Sequence, residues 1–255
     1  MKKFGQEIDA GQAQVAAERL INADIATGDT LQEPAFWGRK FRAIVSNYPF
    51  SIKWTWPALP DERFSTAPVM PPTGKADYAF LLHIIHYLRD DGVAAVLCFP
   101  GVTYRGQREG TLRRWIVETL NVIDKVISVD GGYFEDTKIP TTLIVFRKDR
   151  QKGASITMGT YPDERTAEVT IEDIRANDFN LSPQIYLVNH TPSPFVDFDP
   201  VEHERKLRAL TLDSLRHSLD LSLMTSDING VELGAFLDQL QGLVDEYRQK
   251  ITSKE

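Results

Sequence analysis

The stretch that most restricts the fold is Arg42–Phe50, RAIVSNYPF, an apolar strand pattern that stops at Asn47-Tyr48-Pro49-Phe50. Ile44 and Val45 are β-branched and apolar, as the interior of a sheet requires. Pro49 has no N–H and holds Tyr48 to extended geometry, so the strand ends there. An amide side chain, a free carbonyl and an aromatic ring then stand together at a strand's C-terminal edge, where open α/β sheets bind ligands. The same tetrapeptide also serves as an ordinary strand-ending turn, and its surroundings decide between the two.

Strand and helix signals alternate on either side. Phe4–Asp9 reads as a short strand ending in two carboxylates, and Val15, Ala16, Leu20 and Ile21 have helical spacing. Gly28-Asp29-Thr30 is a turn with an acidic side chain, followed by a connection to the strand at Phe41. Trp54–Ala76 carries Pro57, Pro60, Pro68, Pro71 and Pro72 and has the length of a lid or binding loop, with Trp54, Trp56 and Phe64 to anchor it. Asp77 is placed to cap a helix bearing Leu81, Ile84, Ile85 and Leu88, with Gly92 as its stop signal. His83 and His86 lie on that helix, and without an evident third ligand they read as packing or surface groups rather than a metal pair. Val93–Phe99, Val122–Val129 and Thr141–Phe146 are strands, and Glu109–Leu120 is a helix. This alternation predicts an α/β fold with a doubly wound, mostly parallel sheet.

The pattern divides the chain into an α/β domain over residues 1–150, an irregular polar extension over 151–200 and a helical hairpin over 201–255. In the hairpin Leu212, Leu215, Leu219 and Leu223 make one apolar stripe, and Leu233, Phe236, Leu237, Leu240 and Val244 make a stronger one. Such stripes suit packing within the same domain or docking onto a partner subunit. A net charge of −7 argues against a chain that grips nucleic acid by its own basic surplus, since phosphate neutralisation supplies most of that affinity. If DNA is the substrate, a partner does much of the holding. Cys98, the single cysteine, excludes an intrachain disulfide and fits a reducing cytoplasm; in Val96–Phe99 it reads as a buried, inert thiol. No apolar run approaches the length of a membrane span, so no membrane partner is expected.

The ordered strings Gly5-Gln6-Glu7, Gly28-Asp29-Thr30-Leu31 and Asn47-Tyr48-Pro49-Phe50 carry a resemblance that runs from Phe4 to about Tyr186. They continue in Lys75–Phe80, Tyr104–Glu109, Phe134–Pro140 and Asn180-Leu181-Ser182-Pro183 with Tyr186. Together they resemble the modification subunit of type I restriction–modification systems, adenine-N6 DNA methyltransferases with a Rossmann-like sheet. The resemblance implies S-adenosylmethionine as cofactor, with Glu7 on its ribose hydroxyls and Asp29 on its adenine amine. It implies that Asn47 and the Tyr48 carbonyl accept the two N–H donors of a target adenine turned out of double-stranded DNA, with Phe50 stacked on the base. Phe134 matches a second aromatic wall of that pocket or fills core, and Arg105, with Arg108 and Arg113, meets phosphate or stands as solvated charge. The implied partners are a specificity subunit and a restriction subunit.

Two departures accompany the resemblance. The family's glycine-rich cofactor turn has no counterpart in the sequence, and the strand it follows would lie between those at residues 4–8 and 42–47. A gap in the sheet is therefore expected unless another segment, such as a separate N-terminal fragment, fills it. Tyr48 replaces the motif's first proline, a change worth about 0.4–1 kcal/mol through the unfolded chain. These departures leave open a truncated enzyme, an inactive remnant that keeps fold and partner binding, and an unrelated doubly wound enzyme.

Overall fold

The structure, a computed structural model, describes residues 2–132, 139–187, 200–229 and 233–252. Its first elements are strand β1 (Lys3–Glu7), helix α1 (Ala10–Arg19) and strand β2 (Ala23–Thr27). Asp9 caps α1, its carboxylate accepting the Gln12 N–H at 2.8 Å. β1 and β2 are parallel, in register from Lys3 opposite Ala23 to Glu7 opposite Thr27, and form a sheet of their own. β2 is absent from the sequence prediction, which has only a turn and a connection there. Ala-Asp-Ile-Ala-Thr contains a single bulky apolar residue, Ile25, too weak a pattern to signal a strand.

A second sheet holds β3 (Phe41–Asn47), β4 (Leu88–Cys98), β5 (Ile123–Val129), β6 (Thr141–Arg147), β7 (Ile156–Tyr161) and β8 (Thr166–Val169). Its order is β3-β4-β6-β5-β7-β8; β3–β4 and β5–β7 are parallel, and β6 and β8 run antiparallel to their neighbours. Over its described residues up to 187, the stretch 151–200 is thus not an irregular extension. β7 and β8 lie in it, and the first compact unit runs to Asn189. These strands are short and interleave threonine and glycine with their buried Ile156, Met158 and Val169, which blurs the apolar alternation. The second unit holds helices α7 (Pro200–Asn229) and α8 (Leu233–Thr252).

Between β3 and β4 come the short helix α2 (Glu62–Ser65) and α3 (Asp77–Tyr87). Gly92 does not stop α3: the helix ends at Tyr87, Leu88 is already extended, and Gly92 lies inside β4. Asp77 does not cap α3 either. It is the first helical residue, Ala76 holds the cap position, and the Asp77 carboxylate bonds elsewhere. Every residue of α3 except His83 and His86 is buried, the pattern of a core helix rather than a surface one. It packs on Ala94, Val96 and Cys98 of β4 and Ile144 and Phe146 of β6, which face one side of the sheet. Each large side chain fully buried there stabilises the fold by about 1.5–3 kcal/mol. The opposite face is different. Ala43, Val45, Val93, Ala95, Leu97, Leu143 and Val145 share it by register, and none is fully buried.

β4 leads through a turn of 3-10 helix (Pro100–Thr103) to α4 (Gln107–Trp115), which continues as one wide turn to Leu120. Helices α5 (Ile171–Ala176) and α6 (Pro183–Tyr186) follow β8.

Candidate active site

Two carboxylates stand past the tips of β1 and β2. Glu7 ends β1; its Oε1 accepts the Asp9 N–H at 3.0 Å, and its carbonyl accepts the Gly28 N–H at 2.9 Å, which draws the turn after β2 against the end of β1. Asp29 in that turn uses Oδ1 to accept the Leu31 N–H at 2.8 Å. Neither Glu7 Oε2 nor Asp29 Oδ2 is bonded by another described residue. The parallel register of β1 and β2 thus brings together the two acidic groups that the sequence singles out.

Asn47 is the last residue of β3, exposed, and its amide bonds no other described residue. Tyr48 is buried at 4 % exposure, its ring stacked on Phe80 at 4.9 Å and 13°. Phe50 meets that ring edge-on at 5.9 Å. Tyr48 therefore anchors the turn from below in a way a proline could not. Burying the ring is worth roughly 2 kcal/mol, which outweighs the loss of a fixed φ. The Tyr48 hydroxyl makes no hydrogen bond of good geometry, the Cys98 thiol near it being a weak partner. Burial raises the Tyr48 phenol well above its ordinary value and pushes the Cys98 thiol up to about 12, so both stay protonated.

The turn is held from the far side by a buried ionic brace. Ser51 takes a left-handed φ of 53°, and its N–H and Oγ both donate to the Asp77 carboxylate at 3.3 Å. Arg105 Nη1 lies 3.3 Å from both Asp77 and Glu109, and Nη2 donates to Ser51 Oγ at 3.1 Å. A Cβ at residue 101 would come within 2.4 Å of Arg105 Nε, so Gly101 makes room for the guanidinium. Burial raises the Glu109 carboxyl above its usual range, with Arg105 pulling it back and Asp77 pushing it further up. One cation between two buried carboxylates fixes where Phe50 and Ser51 sit.

A second network holds the Asp29 turn. Arg63, with its side chain fully buried, donates to Asp61, to the carbonyls of Thr30 and Leu31 at 2.8 and 2.6 Å, and to His83 Nδ1 at 2.9 Å. Burial first, and then the Arg63 charge, bring the His83 imidazole down to about 3, so His83 is a neutral acceptor there. The proline-rich loop is tied down by its tryptophans. Trp54 and Trp56 donate their indole N–H groups to the carbonyls of Pro72 and Pro71 at 2.9 and 2.8 Å, and Arg108 lies over the Trp56 ring at 5.3 Å.

Asn47, Tyr48, Pro49 and Phe50 thus form one group with Asp77 and Arg105, and Glu7 with Asp29 another. Among the described residues, no hydrogen bond or ring contact joins the two groups directly. Arg105 is paired with Asp77 and Glu109; of the other two arginines named for phosphate, Arg113 is buried and Arg108 is exposed. Phe134 lies outside the described residues. The brace and the Arg63 anchor have no chemical motif of their own. Their signal is that separate strings meet: Asp77 from one with Arg105 and Glu109 from another, while Arg113 bonds the Phe179 carbonyl at 2.6 Å and Thr103 meets Ser182 at 2.8 Å.

A mostly parallel α/β sheet with acceptor-only carboxylates past two neighbouring strand tips and an amide at a third has the architecture of a Rossmann-like methyltransferase. The chain belongs to the N-6 DNA methylase family, whose model matches residues 1–161. It is 40% identical over 169 residues to the methylase subunit of the type I restriction enzyme MpnII of Mycoplasma pneumoniae, covering 58% of this chain and 31% of that protein. It is 24% identical over 186 residues to the HindI methylase subunit of Haemophilus influenzae, covering 67% of this chain and 41% of that one. Among solved structures it matches the type I restriction–modification methyltransferase subunit of Streptococcus thermophilus with a TM-score of 0.64 and 28% identity, over 72% of this chain and 48% of that one. The chain spans less than half the length of these relatives.

Proposed function

We propose that this chain carries the target-base face of an adenine-N6 DNA methyltransferase, as the modification subunit of a type I restriction–modification system or a piece of one. Its substrate is a flipped adenine in double-stranded DNA, and S-adenosylmethionine is the methyl donor. The observation that carries the reading is the exposed Asn47 amide at the tip of β3, next to a Tyr48 carbonyl that no described residue bonds.

The residues present fit the adenosine half of the cofactor. Glu7 and Asp29 each keep one carboxylate oxygen that no described residue bonds, and carboxylates accept from ribose hydroxyls and an adenine amine. Among the described residues no glycine-rich turn stands between β1 and β3, so the groups present serve the adenosine half alone. The cofactor supplies an activated methyl group on a sulfonium. The chain's own part is to prepare the acceptor. An exocyclic amine has its lone pair delocalised into the ring, and acceptors that hold both its protons favour a pyramidal nitrogen. Asn47 Oδ1 and the Tyr48 carbonyl are those acceptors, Phe50 stacks on the extruded base, and the Asp77–Arg105 brace keeps them aligned. Arg105 acts here as a positioning residue.

DNA-specificity and restriction subunits complete the assembly, with the exposed Leu210, Leu212 and Leu223 of α7 and Leu243 of α8 as docking residues. In the reconstituted complex, tritium from labelled S-adenosylmethionine is expected in DNA adenine, reduced about 100-fold or more by Asn47→Ala. Undiminished transfer by that variant overturns the assignment. The open gap between β1 and β3 favours one second reading, an inactive remnant that keeps the fold and its partners. A remnant binds S-adenosylmethionine in calorimetric titration neither alone nor with partners.

A further inference from the structure

The Asp29 turn and the Asn47–Phe50 turn share no direct bond, yet both are tied to the proline-rich segment over residues 54–76. At the Asp29 end, Gln32 Nε2 donates to the Thr55 carbonyl at 2.6 Å, and Arg63 donates to the carbonyls of Thr30 and Leu31. At the other end, the Ala76 N–H donates at 2.8 Å to the carbonyl of Ile52, two residues beyond Phe50, and the Trp54 N–H donates to the Thr73 carbonyl at 3.0 Å. Between the ends the Trp54 ring lies against Phe64 at 5.4 Å. A segment that opens and closes keeps few buried contacts. Here Arg63 and Phe64 are both buried, so the segment is built as a strut rather than a lid.

Arg63 is its joint with the Asp29 turn. Nε donates to Asp61, Nη1 to the Thr30 carbonyl and to His83 Nδ1, and Nη2 to the Leu31 carbonyl and to Asp61 Oδ2. All five N–H donors are used, on a side chain with no exposed area. Two of them fix the peptide groups directly after Asp29. The Asp29 carboxylate is held to the same residues, accepting the Leu31 N–H at 2.8 Å. A lysine has three donors and no planar fork, and cannot make this set. Apolar replacement of a buried ion pair is often neutral for stability, so what the guanidinium supplies here is geometry.

We propose that Arg63 is a positioning residue for both halves of the site, and that through it a nucleoside held at Asp29 and the acceptors at Asn47 and Tyr48 respond to each other across the strut. The inference rests on the proposed function for what binds at Asp29; the strut rests on the contacts alone. A coupling of this kind works equally in both directions.

The test uses the full chain, adenosine as the probe, and hydrogen exchange of backbone and indole N–H groups read by nuclear magnetic resonance. Without ligand, Arg63→Lys is expected to speed exchange at Leu31 and Glu33 by about tenfold while β5 and β7 keep their protection. In wild type, adenosine is expected to slow exchange at Leu31 and Glu33 and, by about fivefold, at the Trp54 indole and the Ala76 N–H on the far side of Arg63. Arg63→Lys should lose that remote response at adenosine concentrations that saturate the Asp29 turn. Asp61→Asn is the milder variant: asparagine still caps α2 but gives up the two-oxygen hold on the guanidinium, and the remote response should shrink with the fold intact. A response confined to Leu31 and Glu33 in wild type, a remote response that survives both substitutions, or unchanged exchange at Leu31 and Glu33 in unliganded Arg63→Lys would each overturn the inference. Adenosine without effect at any position, alongside the expected unliganded change in Arg63→Lys, would sink the cofactor reading and leave Arg63 as the joint of the strut.

Discussion

Acidification is predicted to destabilise the first unit through His83. In the native chain burial and the Arg63 charge hold this imidazole at about 3, against an ordinary value near 6.5 in the unfolded chain. Between those values the unfolded chain binds a proton that the native chain does not, so stability falls as pH falls, beginning near 6.5 and continuing down to about 3. For a single group with that shift the loss between pH 8 and pH 5 is about 2 kcal/mol. His83→Gln is the control: its amide can accept from Arg63 and donate toward Thr30, which lies 3.4 Å from the native ring nitrogen, but it does not titrate. All four tryptophans lie in the first unit, so urea unfolding followed by tryptophan fluorescence reports on it. Wild type should lose about 2 kcal/mol more than the variant between pH 8 and pH 5. Equal losses would mean that His83 takes up its proton in the folded chain, and the buried-acceptor assignment would be wrong.

Removing the poorly bonded Tyr48 hydroxyl by Tyr48→Phe should change unfolding free energy by less than about 1 kcal/mol, whereas Tyr48→Ala, which empties the space under Phe80, should cost about 3–5 kcal/mol in the same assay. Asp77→Ala leaves Arg105 with Glu109 as its one paired carboxylate among the described residues and should destabilise by roughly 3 kcal/mol, with a larger proportional loss of methyl transfer than of DNA binding in the complex. Gly101→Ala pushes the guanidinium aside and should lower transfer in the same direction, while a conservative Arg105→Lys should restore neither bond geometry nor activity.

Elements with strong local signals were legible in the sequence. The β3 pattern, its end at Asn47 and the helix–strand alternation all reappear within a few residues, because β-branched runs and prolines act locally. The paired acidic groups were legible only through ordered strings; parallel register, a long-range property, brings Glu7 and Asp29 together. Gly92 misled because a glycine after an apolar helical stripe ordinarily marks a helix end, and here it sits in a strand where a Cβ would come within 2.8 Å of Leu88. Asp77 misled in the same manner: local rules offered it a cap, and a buried arginine from residue 105 claimed it. Tyr48 looked like a lost proline because its ring's destination under Phe80 depends on tertiary packing. The expected gap in the sheet is present, as two sheets where an uninterrupted fold would have one.

The most direct measurement of the central proposal is a structure of the assembled complex on DNA carrying its target adenine. The extruded base's amino nitrogen should lie about 2.7–3.2 Å from both Asn47 Oδ1 and the Tyr48 carbonyl. An Asn47 amide turned away from the base, or bonded within the protein while the base sits elsewhere, would contradict it.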